Sequence, residues 1–312
     1  MEVKKIGKTD MYISEIGFGG LSIAGFHYGK TKDKESIEAI KEALELGINF
    51  FDTADIYGFG KSEIILSEGL AENREKVIIA TKVGLRWNKK KEKSYCDLSP
   101  GYIFEAALNS LFNLNIKKIP LYQIHYPDPK IPAKEIMEAL NKLKEEGKIQ
   151  HIGCSNFTKS DIDKYQKFGR IESIQIGYNL LDQSAEKIFK ACKKWDMSVI
   201  AYSPLAQGLL TGKYQKTKFG KNDRRKKSKY FSPKVLKKIK PLLEKMKEIG
   251  EKYQKTLAQV ALRWILDNSN ITCIIIGAKT ASEIKEAAGA SGWKLAKKER
   301  DELTKLGKRV MI

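Results

Sequence analysis

Seven short apolar runs in this chain each end on a group that can carry charge or make hydrogen bonds. Asp52 and Asp55 follow Phe50-Phe51, Lys82 follows Ile78-Ile79-Ala80-Thr81, and His125 follows Tyr122-Gln123-Ile124. Ser155-Asn156, Asn179, Tyr202-Ser203 and Lys279 stand in the same place after four later runs. Asp52, Lys82 and His125, taken with Tyr57, can make a proton-delivery set. A free phenol, with a pKa of about 10, is too weak an acid at neutral pH, but a nearby ammonium favours the phenolate. Lys82 can supply that ammonium, and Asp52 the counter-charge a buried lysine needs. His125 can hydrogen-bond and orient a carbonyl oxygen. Each residue alone also fits a plainer role: Asp52 and Lys82 as a structural ion pair, His125 as a core histidine, Tyr57 as a loop tyrosine before Gly58 and Gly60. The four together are the sharper pattern.

Two other segments suit a phosphorylated ligand. Ser203-Pro204-Leu205-Ala206-Gln207-Gly208-Leu209-Leu210-Thr211-Gly212-Lys213 combines small residues, open backbone amides and a lysine. Gly277-Ala278-Lys279-Thr280 runs straight into a helical pattern whose first amides can face an anion. Tyr202 offers a ring face for stacking a heterocycle, with a core side chain as the lesser alternative.

The elements that must bring these groups together are legible in the hydrophobic pattern. Runs at 13–18, 48–51, 77–80, 121–124, 149–153, 174–176, 198–201 and 272–276 are short, β-branched and apolar on both faces, as buried parallel strands are. Helical patterns lie between them. Asp33 can cap one that carries Ile37, Ile40, Ala43 and Leu44 and stops at Gly47. Ser99-Pro100 reads as N-cap and first turn, and Pro132 opens a helix that runs to Gly147. Thr158 with Asp161, and Thr280 with Glu283, have capping-box spacing. About eight strand–helix alternations in 312 residues indicate an α/β fold, a (β/α)8 TIM barrel. A doubly wound sheet is second, weakened because Gly17-Phe18-Gly19-Gly20 lacks the third glycine of a dinucleotide fingerprint. The chain reads as one barrel domain over 1–312, with a hairpin at 1–12 and a long loop with an extra helix at 205–253. That helix is expected over 232–249, with Val235, Ile239, Leu242, Leu243 and Met246 on one side. In a barrel all strand ends share one mouth, so the polar groups converge there.

Composition limits the alternatives. The 58 basic and 38 acidic residues give a net charge of +20. That balance admits nucleic acid, but the lysines are scattered and only Lys221–Lys229 is dense, which favours a solvated surface or a small anionic ligand. No run approaches the roughly 18 apolar residues of a membrane span, and the N-terminus has no signal-like stretch. Cys96, Cys154, Cys192 and Cys273 lie far apart, so neither a metal site nor a disulfide scaffold is expected and a cytoplasmic setting is.

The motifs G-I-N-F-F-D-T-A-D-I-Y-G (47–58), T-K-V-G (81–84), L-Y-Q-I-H-Y-P-D (121–128), I-G-C-S-N-F (152–157), A-Y-S-P-L-A-Q-G-L-L-T-G-K (201–213) and I-G-A-K-T (276–280) resemble the aldo-keto reductases, in order and across the chain. The long loop and S-G-W-K-L (291–295) are most similar to the bacterial and archaeal branch related to potassium-channel β subunits. The resemblance implies NADPH, with NADH as the weaker alternative, and reduction of an aldehyde or ketone with the tetrad Asp52, Tyr57, Lys82 and His125. It implies that Ser155, Asn156 and Gln175 hold the carboxamide and that Tyr202 stacks on the nicotinamide. Ser203, Leu205, Gln207, Gly208 and Lys213 would hold the pyrophosphate, making 211–231 a belt with Arg224 as a contact. Gly20, Leu21, Asp52, Gly277, Lys279, Thr280 and Glu283 complete the implied cofactor set, and Trp87 and Tyr126, with Phe26-His27-Tyr28, the substrate side. Lys279 stands where the family usually has Arg, and Glu283 and Ala287 where Gln and Asn are common, which softens 2′-phosphate and adenine recognition. A small carbonyl substrate is the expected partner, with no nucleic acid or membrane. The alternatives are an NADP(H)-sensing protein of slow turnover, similar to channel β subunits, and a Schiff-base lyase using Lys82.

Overall fold

The computed structural model describes every residue except 26–28, 30, 89, 91–92, 215–218, 221–222 and 312, so the expected substrate contacts Phe26, His27 and Tyr28 lie outside the described residues. In chain order the strands and α-helices are β1 (Val3–Lys5), β2 (Tyr12–Ser14), β3 (Ile16–Gly19), α1 (Asp33–Glu45), β4 (Phe50–Asp52), α2 (Lys61–Leu70), β5 (Ile78–Val83), β6 (Leu85–Trp87), β7 (Ser94–Cys96) and α3 (Pro100–Leu114). They continue with β8 (Ile119–Ile124), α4 (Ala133–Glu145), β9 (Ile149–Ser155), α5 (Lys159–Tyr165), β10 (Ser173–Gly177), α6 (Phe189–Lys194) and β11 (Ser198–Tyr202). The last are α7 (Pro233–Lys238), α8 (Lys240–Tyr253), α9 (Leu257–Leu266), β12 (Cys273–Ile276), α10 (Ala281–Ala288) and α11 (Lys297–Met311).

Eight parallel strands close on themselves in the order β3-β4-β5-β8-β9-β10-β11-β12, with helices outside, a (β/α)8 barrel. Both strand faces are buried, which is why the runs read as continuous apolar stretches. Inside the barrel Phe50, Ala80, Leu121, Ile200 and Cys273 form an apolar layer with Ile6, Met11 and Ile13 of the N-terminal hairpin. Side chains alternate with period two, so the inward positions one step later are Asp52, Lys82 and Gln123. A polar layer therefore rests on an apolar one. Gly17 makes room for it: a Cβ there would come 2.6 Å from Phe50 Cδ1.

The hairpin pairs β1 with β2, Val3 opposite Ser14, and so extends to Ser14 rather than ending at residue 12. The expected strand over 13–18 is two strands. The chain changes partner at Glu15, whose buried carboxylate accepts from Ser291 Oγ at 2.5 Å and lies 3.8 Å from Arg263. Hydropathy stays continuous there because both segments are buried.

Helix ends follow the sequence in part. Thr158 and Asp161 form the expected capping box, and Thr256 with Gln259 forms another that was not singled out. Lys32, not Asp33, is the N-cap of α1, and Asp33 is its first helical residue. Ser99 is the N-cap of α3, but its hydroxyl bonds Asp97 instead of the helix. The expected helix over 232–249 is two, α7 and α8, meeting at Ile239, because Pro241 has no N–H for the preceding turn. The antiparallel pair β6–β7 beyond β5 was not foreseen.

Candidate active site

Lys82 sits at the centre of the barrel mouth, its side chain fully buried. Its Nζ donates to Asp52 Oδ2 at 2.7 Å, Asp52 Oδ1 at 2.9 Å and the Thr53 carbonyl at 2.8 Å. Asp52 Oδ1 also accepts from Gln175 Nε2 at 2.7 Å and Gln123 Nε2 at 3.1 Å. Three donors, Lys82 Nζ, Gln123 Nε2 and Gln175 Nε2, thus converge on the buried carboxylate. Burial pushes the Lys82 amine below its usual value, and the Asp52 carboxylate opposes that shift.

Tyr57 reaches this pair from a tight turn closed by its own N–H on the Ala54 carbonyl at 3.0 Å. Gly58, at φ +61°, continues it where a Cβ would meet the Ala24 carbonyl at 2.8 Å. The phenol oxygen lies 3.5 Å from Lys82 Nζ, which also stands 5.1 Å from the ring centroid. His125 faces the same ring nearly edge-on, with centroids 5.8 Å apart. Burial first, and then the Lys82 charge, hold His125 well below the usual imidazole value, so it is neutral. Its Nδ1 is buried with no hydrogen-bond partner. The strand ends thus bring all four predicted residues together.

Asp52, Tyr57 and His125 line a cavity of about 500 Å³, within the range of small-molecule sites, with Lys82 buried beneath them. Trp87, Tyr126, Ile56 and Leu85 line it too. Ser155, Asn156, Gln175 and Tyr202 are further parts of the same wall. Asn156 takes φ +60°; its Nδ2 donates to the His125 carbonyl and to Ser155 Oγ, both at 3.0 Å, and its Oδ1 accepts from Tyr202 Oη at 2.8 Å.

Ser203, Ala206, Gln207 and Gly208 have φ of 53°, 48°, 60° and 94°. These left-handed residues curl the loop tightly, with the Ala206 N–H on the Ser203 carbonyl at 3.0 Å and the Gly208 N–H on the Leu205 carbonyl at 2.9 Å. Leu205, Gln207, Gly208 and Lys213 belong to the wall, and Gln207 Oε1 is buried without a partner. Asn179, expected at the mouth, instead braces this loop, donating to the Ser203 carbonyl at 3.1 Å.

Gly277, Lys279, Glu283 and Leu21 line the cavity as well. Burial, and next the Arg225 charge, lower the Lys279 amine. The Glu283 carboxylate accepts from Lys279 N at 2.7 Å, so the Thr280–Glu283 box is one-sided, with only Glu283 N on Thr280 Oγ1 at 3.4 Å. Thr280 and Gly20 lie behind the wall; a Cβ on Gly20 would meet Ser62 Oγ at 2.5 Å.

Arg224 lines the cavity, and so does Arg225, which sequence reasoning missed. Arg225 is held by Asp223 at 2.6 Å and Tyr214 Oη at 2.7 Å and stacks on Phe219 at 4.7 Å. Tyr214, Ser22, Ser94 and Glu286 also join the wall unforeseen. Within a basic run nothing local tells which cation turns inward. A neutral imidazole and the cations Lys279 and Arg225 in the wall of one cavity fit an anionic cofactor. Among the described residues no cluster of His, Cys, Asp and Glu could hold a metal, and no helix is long and apolar enough to cross a membrane.

The family model of the Aldo/keto reductase family matches residues 15–308. Aldo-keto reductase YhdN of Bacillus subtilis is 33% identical over 308 residues, covering 97% of this chain and 92% of its own. The NADH-specific methylglyoxal reductase of Escherichia coli is 34% identical over 305 residues, 92% of this chain and 93% of its own. Among solved structures, a glycerol dehydrogenase from Gluconobacter oxydans superposes with a TM-score of 0.90 at 33% identity, over 97% of this chain and 94% of its own. With the barrel, the four converging groups and these relatives, the chain belongs to the aldo/keto reductase family and is an oxidoreductase.

Proposed function

We propose that the protein is an NADPH-dependent reductase that converts an aldehyde or ketone to an alcohol. The carrying observation is the Lys82 ammonium 3.5 Å from the Tyr57 hydroxyl, beside the neutral His125, at one cavity. A bound nicotinamide cofactor supplies the hydride. Tyr57 Oη gives its proton to the carbonyl oxygen, and Lys82 stabilises the phenolate left behind. Asp52 keeps Lys82 charged in a site that disfavours charge. His125 donates a hydrogen bond to the same oxygen as it gains electron density.

Ser155, Asn156 and Gln175 would hold the carboxamide, Tyr202 would stack on the ring, and the 203–213 loop would take the pyrophosphate. Gln175 enters this role already tied to Asp52, which links the bound ring to the charge of Lys82. Residues 211–231 would close over the cofactor. Lys279 and Arg225 would share a 2′-phosphate, which supports NADPH although a relative is named NADH-specific. The partner would be a small carbonyl compound. Two relatives are named for methylglyoxal and glycerol, which places small oxygenated molecules in the first test panel.

A Schiff-base lyase would need an accessible amine; Lys82 is fully buried and engaged by three oxygens. NADPH and NADH oxidation should be followed over aldehydes, ketones, dicarbonyls and sugars. Turnover with NADPH preferred is expected. Tight NADPH binding with negligible reduction across the panel would favour the sensing alternative.

A further inference from the structure

The turn that presents Tyr57 runs from Ala54 to Tyr57, with Asp55 and Ile56 at its corners. Both backbone groups of Ile56 are gripped from outside the turn's own backbone. Its N–H donates to Asp55 Oδ1 at 2.7 Å, and its carbonyl accepts from Trp87 Nε1 at 3.2 Å. Trp87 belongs to β6 and also packs on Phe59, with ring centroids 4.8 Å apart. The proton donor and the substrate wall are therefore built on two segments that hold each other.

A second tie joins the same segments. Tyr102 Oη lies 3.2 Å from Asp55 Oδ2 and 3.2 Å from the carbonyl of Leu85, the first residue of β6. A phenol has one hydrogen, and a carbonyl can only accept. If Tyr102 serves Leu85, the hydrogen between Tyr102 and Asp55 must come from Asp55. Asp55 Oδ1 is already an acceptor for Ile56 N–H, so that hydrogen sits on Oδ2. The arrangement that gives each contact a hydrogen of its own is Asp55 O–H to Tyr102, then Tyr102 O–H to Leu85.

We propose that Asp55 is a positioning residue, acting as a neutral acid that ties the Tyr57 turn to the β6 wall through Tyr102. This rests on the reductase reading of the site. Burial and then the Glu63 carboxyl push Asp55 well above the usual carboxylate range, and this outweighs the Ile56 N–H, the Tyr102 hydroxyl and the Lys82 charge, which pull the other way. Arg86 lies over the Tyr102 ring at 4.7 Å and pairs with Asp97 at 3.3 Å.

The test compares Asp55→Asn, Asp55→Ala and Tyr102→Phe in the full chain. An amide at 55 can still accept from Ile56 N–H and donate to Tyr102, so Asp55→Asn should keep kcat/KM within about threefold of the parent. Asp55→Ala and Tyr102→Phe should each lose about 10- to 100-fold in kcat/KM, the scale of a slight misplacement of reacting groups, with NADPH affinity within about twofold. Combined, they should lose little more than either alone. A fold merely loosened would instead lose cofactor affinity along with turnover. If Asp55→Ala does not fold, Tyr102→Phe carries the same comparison. Asp55→Asn as damaging as Asp55→Ala, or a silent Tyr102→Phe, would overturn the proposal. Parent-minus-Asp55→Asn infrared difference spectra at neutral pH should show a protonated carboxylic acid band. Its absence would overturn the proposal even in a protein that reduces carbonyls, whereas its presence in a protein that reduces none would point to failure of the reductase reading alone.

Discussion

The Lys82 ammonium stands 3.5 Å from the Tyr57 hydroxyl, while the two oxygens of Asp52 hold it from the other side at 2.9 and 2.7 Å. One carboxylate thus secures a charge that acts on a different residue. Because Lys82 is fully buried, that ammonium acts on the phenol more strongly than it would in solvent.

Tyr57→Phe removes the proposed proton donor and leaves the cavity nearly unchanged in shape. Carbonyl reduction should fall about 100-fold or more, while NADPH affinity, read by fluorescence titration, stays near the parent value. Turnover near the parent rate would show that the proton comes from elsewhere.

Lys82→Met leaves the Asp52 carboxylate buried beside two amides but without its counter-ion. Breaking a buried pair from one side costs about 3–5 kcal/mol, so chemical denaturation should show a loss of that size together with lost activity. Adding Asp52→Asn to Lys82→Met should restore much of the stability and none of the activity. A single Lys82→Met variant as stable as the parent would contradict the pairing.

Lys279→Ala and Arg225→Ala should each weaken NADPH more than NADH. A charge-assisted hydrogen bond of about 1.5–3 kcal/mol corresponds to roughly 10- to 100-fold in the NADPH dissociation constant. Arg225→Ala should cost more than the phosphate contact alone, because Arg225 also gathers Tyr214 and Phe219. Equal losses for both cofactors would remove the phosphate assignment.

His125 is neutral in the folded protein and free to charge when unfolded, its folded pKa lying well below 6.5. Below about pH 6.5 the unfolded chain then binds more protons, so this residue makes stability fall as pH drops, by at most about 1.4 kcal/mol per unit. Asp55 and Glu63, raised by burial, contribute in the opposite direction. The comparison is therefore between the parent and His125→Gln, which share that background. Melting measured from pH 7 to pH 5 should decline more steeply in the parent; parallel curves would mean that His125 carries a proton when folded.

Much of the architecture was legible because local chemistry and global fold agree. Buried parallel strands must be apolar on both faces, and a charged group at the end of such a run has only the mouth to occupy. Asp52, Lys82 and His125 followed from that rule, and Tyr57 from its place in the turn after Asp52. The rule fails where hydropathy does not change with geometry. It could not divide β2 from β3 at Glu15, since both sides are buried. It gave Asn179 a place at the mouth, although an amide at a strand end serves equally well to brace a loop.

What the order of residues determined by itself was most of the elements and the end of the barrel where Asp52, Tyr57, Lys82 and His125 gather. Those depend on periodicity and turn chemistry, which act over a few residues. Only the tertiary structure decided that Arg225 joins Lys279, that Gln123 and Gln175 share Asp52, and that Tyr102 joins Asp55 to Leu85. These are meetings of side chains tens of residues apart, and their partners are chosen by the closure of the barrel, which no local pattern records.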